Sequence, residues 1–241
     1  MRSGAGARGW IGSAAAVAVV DTDFLGNFTG RNGGGLLVVD VASLTVEGSL
    51  FEQNAAGLAG GGLHVTDTDQ VLVDTVAFDR NLLANLPAKG GGAFVGGCVD
   101  ATFTGSDWSS NSAAEGGGLL VEDCAGDALV TESTFTDNDA LNRGGGINFL
   151  NVGGTSLGNT MTGNSAEQGG AVAALGEGIS VSFEDDVITD NTAGDRGAAI
   201  FGAGLADLIS CTTSTQNAFA RNSTTPMVFC DQGTLCSCGG L

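Results

Sequence analysis

The sequence predicts an all-β protein, a single-stranded parallel β-helix (a solenoid) of about eight coils with three short strands in each. The first reason is an internal repeat: an aromatic or large apolar residue stands three positions before an asparagine eight times, at intervals of 26 to 31 residues. The second reason is composition, because 42 glycines in 241 residues disfavour long helices. A repeat of about 27 residues is too short for a four-stranded propeller blade and matches one β-helix coil.

Composition and charge limit the function classes that the chain can serve. Hydrophobic residues make up 42% of the chain, which is enough for a sizeable core and argues against disorder. The 27 acidic and 8 basic residues give a formal net charge of -19, so we expect no nucleic-acid partner and no binding to an anionic membrane surface. The apolar stretch at residues 11–20 is too short to span a bilayer and fits the repeat, so no membrane insertion is expected.

Equivalent residues of successive coils should form columns, because each coil stacks on the next at roughly 4.8 Å. The aromatic column is predicted to fill the core, and the asparagine column to form a ladder in which side-chain amides hydrogen-bond neighbouring coils. Both columns are interpreted as architectural, because a catalytic residue would appear once and not in every coil. The predicted ladder consists of Asn27, Asn54, Asn81, Asn111, Asn138, Asn164, Asn191 and Asn222.

Glycine runs mark a second feature of the repeat, since most coils contain one immediately before a short apolar strand. The first and third residues of that strand are predicted to point inward, as in Leu63 and Val65. Two positions further on, residues such as Asp67, Gly97 and Asn151 tolerate a left-handed backbone and predict a corner. One domain is predicted for residues 1–241, with a partial coil at residues 1–20 and a cysteine-rich coil or cap at residues 226–241.

These motifs carry a resemblance to known proteins. Phe-x-x-Asn, a short link such as Asn111-Ser112-Ala113, and a glycine run followed by Leu, Ile or Val resemble the repeats of chlamydial polymorphic outer-membrane proteins. They are also similar to repeats of other bacterial surface and secreted right-handed β-helix proteins. The resemblance covers about residues 9–229. It implies a right-handed solenoid and, by analogy with the adhesive passenger segments of these autotransporters, an adhesin-like role at a cell surface.

The six cysteines can be placed in the same columns. Cys98 and Cys124 each follow the last glycine of their runs by six residues, which stacks them one coil apart, within the range of a disulfide. The remaining predicted pairs are Cys211 with Cys238 and Cys230 with Cys236. Stacked cysteines can also serve as small buried apolar residues, and zinc binding is a weaker alternative because the usual ligand spacing is missing. Disulfides favour an extracellular or cell-surface location.

The second residue of each glycine-run strand is predicted to point outward, and we name this set of positions the outer column. Five of its members, Leu37, His64, Phe94, Leu120 and Phe201, form a predicted binding face for a protein, a second rod or a glycan. A loop or a neighbouring domain lying over this face is the alternative. His64 is interpreted as a surface histidine.

The outer column contains no carboxylate, so we predict no catalytic residue and no cofactor. Acidic pairs at corners are interpreted as solvated, with Asp67 and Asp69 the candidates for weak calcium binding and no other metal site predicted. The predicted function is therefore a non-catalytic stalk or adhesin-like module of a bacterial surface or secreted protein. Its expected partners are a protein or glycan at a cell surface, with self-association as a further prediction. The alternative is a polysaccharide lyase or glycoside hydrolase with a divergent acidic site.

Overall fold

The computed structural model is a parallel β-solenoid, and it describes residues 9–85, 87–204, 208–211, 218–220, 222, 228–230 and 235–237. The strands of its first half are β1 (Gly9–Val20), β2 (Asp23–Leu25), β3 (Phe28–Thr29), β4 (Leu36–Glu47), β5 (Leu50–Glu52), β6 (Ala55–Ala56), β7 (Leu63–Asp74), β8 (Ala77–Asp79), β9 (Leu82–Leu83), β10 (Ala93–Gly96), β11 (Asp100–Thr104), β12 (Asp107–Ser109), β13 (Ser112–Glu115), β14 (Leu119–Glu122) and β15 (Ala128–Thr131).

The strands of the second half are β16 (Thr134–Thr136), β17 (Asp139–Arg143), β18 (Ile147–Leu150), β19 (Gly154–Leu157), β20 (Thr160–Thr162), β21 (Ser165–Gln168), β22 (Val172–Leu175), β23 (Ser180–Glu184), β24 (Val187–Thr189), β25 (Thr192–Arg196), β26 (Ile200–Ala203), β27 (Leu208–Cys211), β28 (Ala218–Ala220), β29 (Val228–Cys230) and β30 (Leu235–Ser237). The described residues contain no helix, and therefore none that is long and apolar enough to cross a membrane.

Three parallel sheets run along the solenoid, as the repeat predicts. The first sheet has 15 strands, the second has 8 and the third has 7. The first sheet is the widest because it contains the glycine-run strand and the strand after it. In the first three coils these two are joined into one 12-residue strand, such as β4. Gly9 pairs with Leu36 and Ile11 with Val38, so the segment that begins β1 is equivalent to a glycine-run strand.

The predicted corner is present. Asp67, Gly97 and Asn151 have φ values of 53°, 64° and 52°, and the equivalent residues of other coils are also in the positive-φ region. Gly and Asn adopt this conformation at low cost, and Asp is the next most tolerant. The inward positions of the glycine-run strand are buried, with Leu63 and Val65 both at 0% exposure. The core is thus made of columns that continue from coil to coil.

The aromatic column forms a stack through the core. The rings of Phe24, Phe51, Phe78 and Trp108 follow one another with centroids 4.1 to 4.9 Å apart and planes within 9° of parallel. Phe135 continues the stack at 5.5 Å from Trp108. This confirms the predicted aromatic column, whose coil-to-coil spacing is that of the strands themselves.

The asparagine ladder is also confirmed, and it is continuous from Asn27 to Asn222. Each asparagine donates from its backbone N and from Nδ2 to Oδ1 of the next, as Asn81 does to Asn111 at 2.9 and 3.0 Å. From Asn54 to Asn222, Nδ2 also donates to a carbonyl of the preceding coil, as Asn111 does to Phe78 at 2.9 Å. Inner asparagines such as Asn111 are fully buried, so the ladder satisfies backbone groups that water cannot reach.

The disulfide between Cys98 and Cys124 is formed, with 4.4 Å between the Cα atoms. Cys230 is disulfide-bonded as well. The predicted pairs Cys211 with Cys238 and Cys230 with Cys236 cannot be compared, because Cys238 and the side chains of Cys211 and Cys236 lie outside the described residues.

Removing the Cys98–Cys124 disulfide should lower the free energy of unfolding. The bond closes a loop across 26 residues of sequence, and loop-closure entropy for that length gives about 3 kcal/mol. Denaturant unfolding of the Cys98→Ala/Cys124→Ala variant, compared with the parent protein without reductant, measures the effect. Equal unfolding midpoints would contradict the prediction.

Candidate functional site

The predicted binding face occupies one column, but three of its five residues are buried. Leu37 pairs with His64, His64 with Phe94 and Phe94 with Leu120, so their registers agree with the prediction. Their exposure does not: Leu120 is at 0%, Phe201 at 3% and His64 at 4%. Leu37 and Phe94 are half-buried. The interpretation of Leu120 and Phe201 as exposed apolar residues, and of His64 as a surface histidine, was wrong.

The glycine run explains part of this burial. Its first glycine turns the chain, as Gly116 does with φ at 63°, and its Cα faces the following outer-column residue. A Cβ placed on Gly116 would lie 2.7 Å from Cβ of Leu120, and one placed on Gly60 would lie 2.6 Å from Cβ of His64. The outer column therefore occupies the space that the missing glycine side chains leave inside a bend. Neighbouring outer-column residues then cover one another along the stack.

Long polar side chains flank the same bend. The residue immediately before each glycine run also forms a column, and five consecutive members of it, which we name the polar strip, are Lys89, Glu115, Arg143, Gln168 and Arg196. The structure describes five basic residues in all, and three of them belong to this strip; Arg31 and Arg80 are the others. Within the part of the chain that the structure describes, most of the basic charge thus lies along one line.

The strip is connected across coils by polar contacts. Arg143 lies with Nη1 at 3.8 Å from Oε1 of Glu115, and its Nε donates to Oε1 of Gln168 at 3.3 Å. Gln168 donates from Nε2 to Oδ2 of Asp195 at 3.2 Å, and Nε of Arg196 is 3.1 Å from the same oxygen. The contacts form one chain from Glu115 to Arg196 along the rod.

Members of the pre-glycine column also reach over the outer face of the next coil. Nδ2 of Asn32 lies 3.3 Å from Nε2 of His64. Lys89 donates from Nζ to both carboxylate oxygens of Glu122, at 2.6 and 2.8 Å. The guanidinium of Arg196 lies over the ring of Phe229, 5.0 Å from its centroid. Two of these contacts reach rings of the outer column, those of His64 and Phe229, and help to cover them.

His64 is therefore a buried ring in a stack. Its centroid is 4.8 Å from that of Phe94, with the planes 8° apart. Burial lowers the pKa of His64 to about 4, because the charged form would lose its solvation. The imidazole is neutral at pH 7 and contributes to packing.

A shallow cavity opens beside the strip. Its volume is about 260 Å³, and it is lined by Glu115, Asn142, Arg143, Glu167 and Gln168. Every lining side chain can form hydrogen bonds, and the set combines two carboxylates, one guanidinium and two amides. Such a set can bind the hydroxyl and carboxylate groups of a sugar. It also places two carboxylates around one cation, which acid–base chemistry on a polysaccharide would require.

The strip was not found in the sequence, although a signal existed. Its members differ in residue type, so they do not form a recognisable repeat. The signal is positional: a long polar side chain precedes the glycine run in five consecutive coils. The outer column contains no carboxylate, as the sequence indicates. The two carboxylates of the cavity, Glu115 and Glu167, lie instead on strands of the third sheet.

The calcium candidates Asp67 and Asp69 line another shallow cavity, of about 400 Å³, together with Asp40 and Ser13. Oγ of Ser13 donates to Oδ2 of Asp40 at 2.8 Å. Among the residues that the structure describes, no group of three or more His, Cys, Asp or Glu is arranged to hold a metal ion.

A second buried ladder lies two residues before the aromatic column, and sequence reasoning missed it. Its members are Ser49, Ser106, Ser133, Asn159 and Asp186, and their side chains accept hydrogen bonds from backbone N atoms of the preceding coil. Asp186 accepts from the backbone N of Asn159 at 2.8 Å and from its Nδ2 at 3.1 Å. The column mixes Ser, Asn and Asp, and Val76 interrupts it, so it shows no clear repeat.

Replacing Asp186 with Asn should stabilise the fold at neutral pH. Burial raises the pKa of Asp186 from 3.8 to about 6, although hydrogen bonds from Asn159 oppose the shift. Below pH 3.8 the carboxyl is protonated in both the folded and the unfolded protein, and its contribution to the free energy of unfolding is at its most favourable. As the pH rises from 3.8 to about 6, only the unfolded protein gains by ionising, so this contribution is lost. At pH 7 the penalty is on the order of 3 kcal/mol.

Unfolding free energies of the parent and Asp186→Asn proteins at pH 7 and at pH 4 test this expectation. The variant should be the more stable protein at pH 7, and the difference should shrink toward pH 4. Comparing the two proteins at each pH cancels the contribution of the other acidic residues. A difference that does not change with pH would contradict the assigned pKa.

Comparison with known proteins identifies the architecture. A family model described as a right-handed β-helix region matches residues 25–166, which is more than half of the chain. No curated protein and no solved structure matches the chain.

Proposed function

Because the chain belongs to the right-handed β-helix family, we propose that it is a non-catalytic stalk and adhesin-like binding module of a bacterial surface or secreted protein. This fold is shared by adhesins and by polysaccharide-degrading enzymes, so the choice between a binding and a catalytic function rests on the residues of this chain. The likeness of its motifs to chlamydial polymorphic outer-membrane protein repeats supports the adhesin-like role.

The observation that carries the stalk part of the proposal is the continuity of the buried ladder. Hydrogen bonds link every ladder asparagine from Asn27 to Asn222, so neighbouring coils are held together along the rod. Such a repeat suits a stiff spacer that presents its sides to a partner. The Cys98–Cys124 disulfide supports an oxidising compartment, and hence an extracellular or cell-surface location.

The polar strip replaces the apolar outer column as the proposed contact surface. It offers amide, guanidinium and carboxylate groups at the spacing of the coils, roughly 4.8 Å. Planar polar side chains at this spacing can hydrogen-bond successive units of an extended glycan. A glycan at a cell surface is therefore the partner that we favour over a protein.

A glycan array probed with the folded protein tests this proposal. We expect binding to at least one extended glycan, and a loss of about tenfold in affinity when Arg143 is replaced with Ala, which corresponds to the energy of about one hydrogen bond to a charged group. The matched control is Arg80→Ala, because Arg80 lies in an exposed ion pair with Glu52 away from the strip. Absence of binding, or equal effects of the two substitutions, would contradict the proposal.

An enzyme is the second candidate, and the cavity at Arg143 is the observation that favours it. Glu115 and Glu167 line that cavity together with Arg143, which brings two carboxylates and one cation into one place. A lyase or hydrolase acting on an acidic polysaccharide would need such a group. Depolymerisation of pectin or alginate by the protein, abolished in Glu115→Gln or Glu167→Gln, would replace the binding proposal with this one.

A further inference from the structure

Asn148 is the one amide among the outer-column members that the structure describes. It lies on β18 between Leu120 on β14 and Ala173 on β22, and all three residues have 0% exposure. Within the described part of the chain, neither Oδ1 nor Nδ2 of Asn148 has a hydrogen-bond partner. Buried amide atoms are nearly always paired, because leaving them unpaired costs free energy. An apolar residue, as in both adjacent coils, would fill the position without that cost, so packing alone does not explain the amide.

The unpaired amide lies beside the polar strip. A Cβ placed on Gly144 would be 2.9 Å from Cβ of Asn148, so the backbone of Gly144 lies against this side chain. Arg143 is the residue before Gly144, and it lines the cavity of about 260 Å³ together with Glu115 and Gln168. Asn148 is thus at the foot of the chain segment that carries the proposed contact surface.

The charge of the cavity restricts the kind of sugar that fits there. Two carboxylates, those of Glu115 and Glu167, line it with the single guanidinium of Arg143. A uronate or a sulfated sugar would bring a further negative charge to this site on a chain whose formal net charge is -19. The charge therefore favours a neutral sugar.

The surroundings of Asn148 along the column are apolar. Leu120 precedes it and Ala173 follows it, and Ala173 forms a small apolar cluster with Leu175 and Phe201 on the outer side of the first sheet. A group that pairs with the amide of Asn148 therefore meets hydrocarbon on both sides. The position suits a group that combines a donor and an acceptor with an apolar part.

Building on the glycan binding proposed above, on which this step rests, we infer that Asn148 recognises the acetamido group of a neutral N-acetylated sugar. An acetamido group presents one N–H donor and one C=O acceptor, and the amide of Asn148 offers Oδ1 and Nδ2 to pair with them. The methyl of the acetamido group matches the flanking side chains of Leu120 and Ala173. A sugar hydroxyl at the same place lacks that methyl.

Arg143 controls access to the amide. Because Asn148 is fully buried, a ligand reaches it only when side chains of the strip move aside. Nη1 of Arg143 is 3.8 Å from Oε1 of Glu115, and Nε donates to Oε1 of Gln168 at 3.3 Å, so both contacts are long. The side chain of Arg143 is 40% exposed, and ion pairs of this kind contribute little to stability. A sugar that bonds to Arg143 displaces these contacts at low cost.

Isothermal titration calorimetry of the whole chain with chitotetraose and with cellotetraose tests the inference. The two sugars share their linkage, and chitotetraose carries acetamido groups where cellotetraose carries hydroxyls. We expect chitotetraose to bind about tenfold more tightly or better. In Asn148→Leu this preference should fall to about twofold or less, with the affinity for cellotetraose unchanged.

Stability separates this role from a structural one. Asn148→Leu copies Leu120 of the preceding coil and removes the unpaired amide, so the variant should unfold at a higher temperature than the parent protein. A purely structural role would change that temperature without changing the ratio of the two affinities. Asn148→Ala, which copies Ala173, is the second variant. The matched control is His64→Leu, another buried member of the same column three coils away, which should keep the preference.

The outcomes distinguish the inference from the proposed function. Equal affinities of the parent for the two sugars, or binding only to other glycans on the array, would overturn the inference and leave glycan binding intact. A preference for chitotetraose that survives in both Asn148 variants would overturn the role of Asn148. Failure to bind any glycan would contradict the proposed function, and the inference with it. A preference lost in both Asn148 variants and kept in His64→Leu supports the inference.

Discussion

Replacing Leu120 with Asp is expected to destabilise the protein by about 4 kcal/mol or more, although its position points away from the core of the solenoid. Leu120 has 0% exposure in the bend between the glycine run and the polar strip. A carboxylate there would lose its water, and the packing of the leucine would be lost as well. Denaturant unfolding measures the loss.

Leu72→Asp is the matched control for this substitution. Leu72 also points outward from the first sheet, but it lies in the strand segment after the corner and is 36% exposed. An exposed substitution of this kind changes stability by no more than about 0.5 kcal/mol. If Leu120→Asp lowered the free energy of unfolding no more than Leu72→Asp does, the outer column would be accessible to solvent. The binding face predicted from the sequence would then be supported.

The contrast between Leu120 and Leu72 shows where sequence reasoning ends. A repeat reveals which residues share a column and whether a column faces in or out of its own sheet. It does not reveal the angle between two sheets, and that angle decides whether an outward side chain meets water or another side chain. For this reason the register of His64, Phe94 and Leu120 was predicted correctly and their exposure was not.

Columns of one residue type were predictable because the stacking itself selects them. In the ladder from Asn27 to Asn222 each asparagine bonds to the asparagine of the next coil, and in the aromatic column a ring packs well on another ring at the same spacing. The stacked Cys98 and Cys124 follow from the same register. The polar strip and the ladder containing Asp186 follow another rule, since different polar residues can make equivalent contacts there. Such columns become visible only when coordinates supply the partners.

Replacing Asn111 with Ala is expected to cost about 4 kcal/mol, because it breaks four hydrogen bonds in the middle of the ladder. Its Oδ1 accepts from the backbone N and Nδ2 of Asn81, and its Nδ2 donates to Oδ1 of Asn138 and to the carbonyl of Phe78. The substitution leaves the backbone N of Asn81 and the carbonyl of Phe78 buried without these partners. Each such group costs about 1–3 kcal/mol.

Asn27→Ala provides the internal comparison, since Asn27 is the first member of the same ladder within the described residues. Its Oδ1 accepts nothing, and its Nδ2 makes one bond, to Oδ1 of Asn54 at 2.8 Å. That oxygen keeps its other donor, the backbone N of residue 27, so we expect a cost below about 1 kcal/mol. Unfolding midpoints of both variants give the test. Similar losses at Asn111 and Asn27 would mean that asparagine matters at this position for its turn conformation, and that the ladder bonds add little to stability.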